Sequence, residues 1–205
     1  MEGNNIERKV ESSAEKEEKP FEVLGKVSIM RHGQTEYTEQ YPDITEFGKQ
    51  QIEEQGVKLK EKIDTDKEDV IVATSPSVRA KGSGDVLKEK LGIEEARVMK
   101  ALRGVQIRDY TEALKMINDI IGPERDILKM DRAYAHDDEF EQRVEVWEPR
   151  SEVEKRFFRG VEYITRAFSR YEAGERNKIP HLVGVSHFEF LNHVAAKVFN
   201  LDEKQ

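Results

Sequence analysis

The chain is 205 residues long, 37% apolar and 37% charged, with a net charge of −8 and no cysteine. That length favours one domain with a sizeable core, and the acidic balance argues against a general nucleic-acid surface or an anionic-membrane partner. The lack of cysteine excludes disulfides and thiol-based metal or redox chemistry; with no run of transmembrane length and no signal-like opening segment, a cytoplasmic location is expected.

Residues 1–22 are dominated by charge, as in Glu15-Lys16-Glu17-Glu18-Lys19-Pro20, and lack an apolar period. They read as a disordered tail, followed by a single domain over 23–202. The apolar run Val27-Ser28-Ile29-Met30 predicts a first strand over 26–30. A helix follows over 45–62, with Thr45 as its N-cap and Ile52, Leu59 and Ile63 in period. Val70-Ile71-Val72-Ala73 predicts a second strand over 70–74, and Pro76 in the first turn predicts a helix over 76–90. A third strand is expected near 96–101. Residues 104–149 are charged with scattered apolars and read as a variable insertion of short helices. Val153, Phe157, Val161, Ile164 and Phe168 share one face of a helix over 150–172. His181-Leu182-Val183-Gly184-Val185 predicts the last strand, over 181–186, and the last helix covers 188–199. Strands alternating with helices predict a doubly wound, mostly parallel α/β sheet flanked by helices, with the helical insertion over the active-site edge.

Ligands of an open α/β sheet bind just outside the carboxyl ends of the strands. Three of the predicted strands end on polar, cationic residues. The first runs into Arg31-His32-Gly33-Gln34-Thr35, the second into Ser75-Pro76-Ser77-Val78-Arg79, and the last into Ser186-His187. Two imidazoles and two guanidiniums at one edge suit a phosphoryl group. Arginine offers a planar fork of donors to phosphate oxygens, and histidine can attack phosphorus or move a proton. Gly33 permits close approach of the backbone to a ligand, or is a simple turn glycine. Gln34 and Thr35 are weaker candidates for substrate contacts. Each assignment has a plainer rival: a buried structural histidine for His32, a core histidine for His187, an exposed helix residue for Arg79. His136, His181 and His193 lack this context and read as solvent or core histidines.

In this pattern the chain resembles the histidine phosphatase superfamily, the phosphoglycerate-mutase-like enzymes. The family's Arg-His-Gly-Glu/Gln-Thr stands at Arg31 to Thr35, and its Leu-Thr-x-x-Gly-x-x-Gln at Ile44 to Gln51. Its Ser-x-x-x-Arg-Ala stands at Ser75 to Ala80, and its late strand-to-histidine motif at Val183 to His187. The likeness covers about residues 26–103 and 150–199. It implies that His32 is the nucleophile that becomes a phosphohistidine. It also implies that Arg31, Arg79 and His187 hold the phosphoryl oxygens.

The family's usual acid, a Glu in Leu-x-Glu, is missing. The matching stretch reads Ala101-Leu102-Arg103-Gly104-Val105. Replacement proton donors are Asp109, Glu112 and Glu189, with Glu189 preferred because its distance from the pocket is fixed by His187. Asp109 and Glu112 equally suit a capping box, and Glu189 suits a helix first turn for its charge alone. The leading expectation is a phosphomonoester hydrolase acting on a small phosphorylated substrate or a phosphoprotein, without metal or other cofactor. The alternative is a non-catalytic or weakly active phospho-ligand binder. A mutase is less favoured, because no additional basic cluster accompanies the motifs.

Overall fold

The computed structural model describes residues 23–36, 42–124, 127–172 and 178–198. The tail expected over 1–22 lies outside them. Four strands form one parallel sheet: β1 (Lys26–Arg31), β2 (Glu68–Thr74), β3 (Ala96–Val98) and β4 (Ile179–Ser186), in the order β1-β4-β2-β3. β4 is central and buried from Pro180 to Ser186, which explains its near-continuous apolar sequence. Residues alternate between two faces. Val72, Val183 and Val185 pack on Ile52 of α1 (Glu46–Lys60) and on Ala80 and Leu87 of α2 (Val78–Leu91). On the other face, Ala73 and Leu182 pack on Val153 and Phe168 of α6 (Arg150–Glu172) and on Phe190 and Val194 of α7 (Phe188–Val198). Helices on both faces make the sheet doubly wound, as expected. No described helix is long and apolar enough to cross a membrane.

Local chemistry sets the helix starts. The Thr45 side chain accepts from the Gly48 N–H at 3.0 Å, capping α1. α2 differs from its expected start. Pro76 lies ahead of the helix, and Ser77 is the N-cap, accepting from the Ala80 N–H at 3.3 Å. Such caps contribute about 1 kcal/mol each. α2 ends on Gly92 at φ 73°, in the left-handed conformation that glycine adopts without a Cβ penalty. β3 is shorter than expected, because a 3₁₀ turn at Lys100–Leu102 takes over its end.

The segment 104–149 folds into α3 (Tyr110–Ile121), α4 (Ile127–His136) and α5 (Asp138–Gln142). It buries its own cluster of Ala113, Met116, Tyr134, Phe140, Val146 and Trp147. An Ile107–Trp147 bridge closes its base, and α4 contacts α7.

Candidate active site

The ladder that builds the sheet also brings the polar strand ends level. Arg31 pairs with Ser186, and Thr74 with Val185. One step further, the His32 N–H donates to the Ser186 carbonyl at 3.0 Å, and the Ser75 N–H to the Val185 carbonyl at 2.9 Å. His32, Ser75 and His187 therefore emerge side by side from three adjacent strands. All three are buried, and the two imidazole centroids lie 5.1 Å apart, edge to face.

Hydrogen bonds define the state of each ring. His32 Nδ1 is 2.7 Å from the Gly33 carbonyl, which can only accept, so Nδ1 carries the proton. Nε2 is left with a lone pair, and Arg79 Nε donates to it at 3.1 Å. Burial, opposed by the Gly33 hydrogen bond and aided by Arg79 and Arg31, pulls the His32 pKa down to about 4. His187 Nδ1 lies 3.4 Å from Arg79 Nη2, and its Nε2 lies 2.7 Å from the Ser75 hydroxyl. Burial first, then the Arg79 charge, pulls its pKa to about 3. Both rings are thus neutral at physiological pH. The serine hydroxyl can donate or accept. His187 Nδ1 can therefore accept from Arg79 in one tautomer and donate to an anion in the other.

Arg79 comes from the first turn of α2 and bridges the two rings. Its position is set by the turn before it: Ser75 Oγ donates to Ser77 Oγ at 3.1 Å and accepts from the Ser77 N–H at 3.2 Å. Arg31 ends β1 on the exposed side, its guanidinium 5.3 Å from the centre of the Phe188 ring. Gly33 is tied down by its N–H, which donates to Ser83 Oγ at 3.0 Å. A Cβ on Gly33 would sit 2.4 Å from the Gly48 carbonyl oxygen, so the first two motifs touch through their glycines.

The acid slot has a structural counterpart. A Cβ on Gly104 would lie 2.9 Å from His187 Cγ, nearer than real Cβ contacts come. Glycine there lets the backbone back directly onto the imidazole. Gly104→Ala is expected to push His187 aside, costing about 1–3 kcal/mol by overpacking and lowering turnover. Urea unfolding and steady-state kinetics check both effects, and an unchanged variant would contradict the contact.

The other carboxylate candidates are differently placed. Asp109 caps α3, accepting from the Glu112 N–H at 3.0 Å. Glu112 pairs with Lys115 and Arg143, whose hydrogen bonds hold its carboxyl below the usual range. Glu189 lies exposed in the first turn of α7 and makes no hydrogen bond or ion pair with a described residue. Gln34 is exposed, with its side chain near the Thr45 hydroxyl at 3.3 Å, and Thr35 forms a bridge with Ile44.

Of the remaining histidines, His181 is a core residue. Its Nδ1 faces buried Glu68 at 2.6 Å and its Nε2 faces Ser28 at 2.8 Å. His193 pairs with Glu154 at 3.0 Å, and the His136 side chain lies outside the described residues.

One group escaped sequence reasoning. Glu148 is 1% exposed and takes hydrogen bonds from Arg103 at 2.7 Å, from Arg156 at 3.0 Å and from the Gln106 N–H at 3.1 Å. Burial pushes its carboxyl up, but the Arg156 and Arg103 hydrogen bonds outweigh this and hold it below the usual range. Arg156 also donates to the carbonyls of Ala101, Arg103 and Gly104. It thereby staples the acid-slot loop to α6 beside His187. The available signal was an arginine between Val153 and Phe157 on the apolar face of α6.

Fold and site together define an α/β protein in which two buried histidines at neighbouring strand tips meet Arg79 from the start of α2, with Arg31 exposed at the end of β1. The chain belongs to the histidine phosphatase superfamily (branch 1), whose sequence profile matches residues 27–205. No curated protein sequence matches it. Among solved structures it is similar to a mycobacterial glucosyl-3-phosphoglycerate phosphatase, with a TM-score of 0.60 and 20% identity, covering 85% of this chain and 79% of that one. It is also similar to Bacillus stearothermophilus YhfR, with a TM-score of 0.56 and 18% identity, covering 85% and 79%. At such identities the likeness is one of fold.

Proposed function

We propose that the protein is a phosphomonoester hydrolase that works through a phosphohistidine at His32. The observation that carries this reading is His32 Nε2. It is unprotonated, held in one tautomer by Gly33, and accepts from Arg79 Nε beside the His187 ring. Arriving phosphate dianion draws Arg79 off that lone pair. Arg31 and Arg79 then take the phosphoryl oxygens, and His187 donates from Nδ1 once the Ser75 hydroxyl has turned from Ser77 to donate to its Nε2. Nε2 of His32 attacks phosphorus as the bond to the leaving oxygen breaks. Water then attacks the phosphohistidine, releasing inorganic phosphate and the neutral ring. Fixed donors around the transferring group supply most of the acceleration. The substrate is a small phosphorylated molecule or a phosphoprotein, with neither a metal nor another cofactor taking part.

The leaving oxygen needs a proton unless it is weakly basic. Asp109 and Glu112 are committed to a cap and to ion pairs, which leaves Glu189 as the donor we assign. Glu189→Gln is expected to cut hydrolysis of alkyl phosphates much more than that of aryl phosphates, whose leaving groups depart unaided. Equal small effects on both would remove Glu189 from the mechanism. Wild-type rates on the same two substrate series test the hydrolase reading itself, which fails if neither series turns over.

The pH profile follows from the ring environments. His32 must be neutral to attack, and with its pKa pulled down to about 4 it imposes no acid limb at the ordinary 6.5; the limb of kcat/KM at about 6 belongs to the second ionisation of the phosphate substrate. Stability has the same sign. The unfolded chain protonates both imidazoles near 6.5, whereas the fold resists until about 4 and 3. Stability contributed by the neutral pair is therefore present above 6.5 and lost as pH falls through that window. Denaturation midpoints measured from pH 7 to pH 4 should decline, and less steeply in His32→Ala.

A further inference from the structure

Away from these residues, a groove of about 860 Å³ runs between α6 and the open β3 edge of the sheet. Its floor is apolar and continuous with the core, formed by Ile71, Ile164, Phe168 and Leu182. Its rim carries Arg97, Lys100, Lys155 and Arg159, all exposed. None of these four cations pairs with a carboxylate among the described residues. The two carboxylates on the groove wall are already neutralised, Glu148 by Arg103 and Arg156, and Glu152 by Arg108. Unpaired positive charge thus gathers over an apolar floor in a chain whose net charge is −8. β3 bonds to β2 on one side and is the edge strand on the other, with Val98 55% exposed.

We propose that this groove docks an acidic, extended peptide segment of a partner protein that carries apolar side chains on alternate residues. The chemistry of the walls selects that occupant. An exposed edge strand offers main-chain hydrogen bonds to an added strand, and successive side chains of that strand point to opposite faces. Apolar side chains then enter the floor while carboxylates meet the rim. Four separated cations call for several carboxylates along one ligand, which a single-headed fatty anion does not provide. The site shares only the Arg103–Glu148–Arg156 wall with the catalytic region and stands independently of the phosphatase reading.

The test uses the full chain and labelled peptides of about ten residues. One alternates Glu and Val, one Glu and Ser, and one Lys and Val. Fluorescence anisotropy should show salt-sensitive binding of the Glu/Val peptide, with the other two weaker by about tenfold or more. Lys155→Glu/Arg159→Glu should weaken the Glu/Val peptide by a similar factor while aryl phosphate turnover and Tm stay unchanged. Hydrogen exchange should slow at Ala96–Val98 on binding. Equal binding of the Glu/Ser peptide, indifference to the double variant, no binding, or no protection of β3 would each overturn the proposal. So would dodecanoate binding where the peptide does not, or a wild-type dimer that the double variant dissolves into monomers.

Discussion

His32→Ala should abolish phosphoryl transfer while leaving a folded protein. The substitution removes the attacking nitrogen itself, so the loss should reach at least ~10⁴-fold, the scale seen when a covalent nucleophile is deleted. Folding should survive because the backbone N–H of residue 32 still donates to Ser186, and the three strand tips stay in register. The side chain contributes a hydrogen bond to the Gly33 carbonyl and contact with His187, and fills no position in the hydrophobic clusters. Circular dichroism and Tm report the fold, and phosphate release reports the chemistry. Comparable turnover in the variant would place the nucleophile elsewhere.

Arg79→Ala should be the next most costly substitution. Its guanidinium reaches both imidazoles, at 3.1 Å and 3.4 Å. Loss of a preorganised donor to developing charge removes about 3 kcal/mol of transition-state stabilisation, or roughly a hundredfold in kcat/KM. The variant should also lose most of the thermal protection that vanadate gives the wild type by mass action. Equal protection of the two proteins would put Arg79 outside the anion site. A second consequence separates electrostatics from structure. With Arg79 gone, one of the charges that depresses both imidazoles disappears, so both should titrate closer to 6.5. NMR titration of the two rings reads this directly.

Much of this site was legible in the sequence because its parts sit where simple rules point. β-branched runs mark β1, β2 and β4, and each ends on the polar residues that the ladder then sets level. Thr45 declares its own helix by capping it. The start of α2 was displaced because Pro76 and Ser77 both suit a helix entrance, and the hydroxyl that reaches Ala80 N–H decides between them. The 104–149 insertion was legible as short helices, but its separate core around Trp147 and Phe140 was not, since scattered apolars do not say which of them meet. The brace of Arg103, Glu148 and Arg156 was the least legible feature. In a chain with 37% charged residues, sequence alone does not reveal which carboxylate is buried. Gly104 shows both limits at once. Its sequence position reveals a missing acid, and only the structure reveals that the space is filled by the His187 ring.

The central claim is a covalent bond between His32 Nε2 and phosphorus. Rapid quench of wild-type protein with an aryl phosphate, followed by intact mass and peptide mapping under alkaline conditions that preserve phosphoramidates, tests it most directly. The account predicts one added phosphoryl group, acid-labile, on the peptide containing His32 and absent from His32→Ala. Turnover without any phosphorylated protein, or a phosphoryl group mapped to another residue, would contradict it.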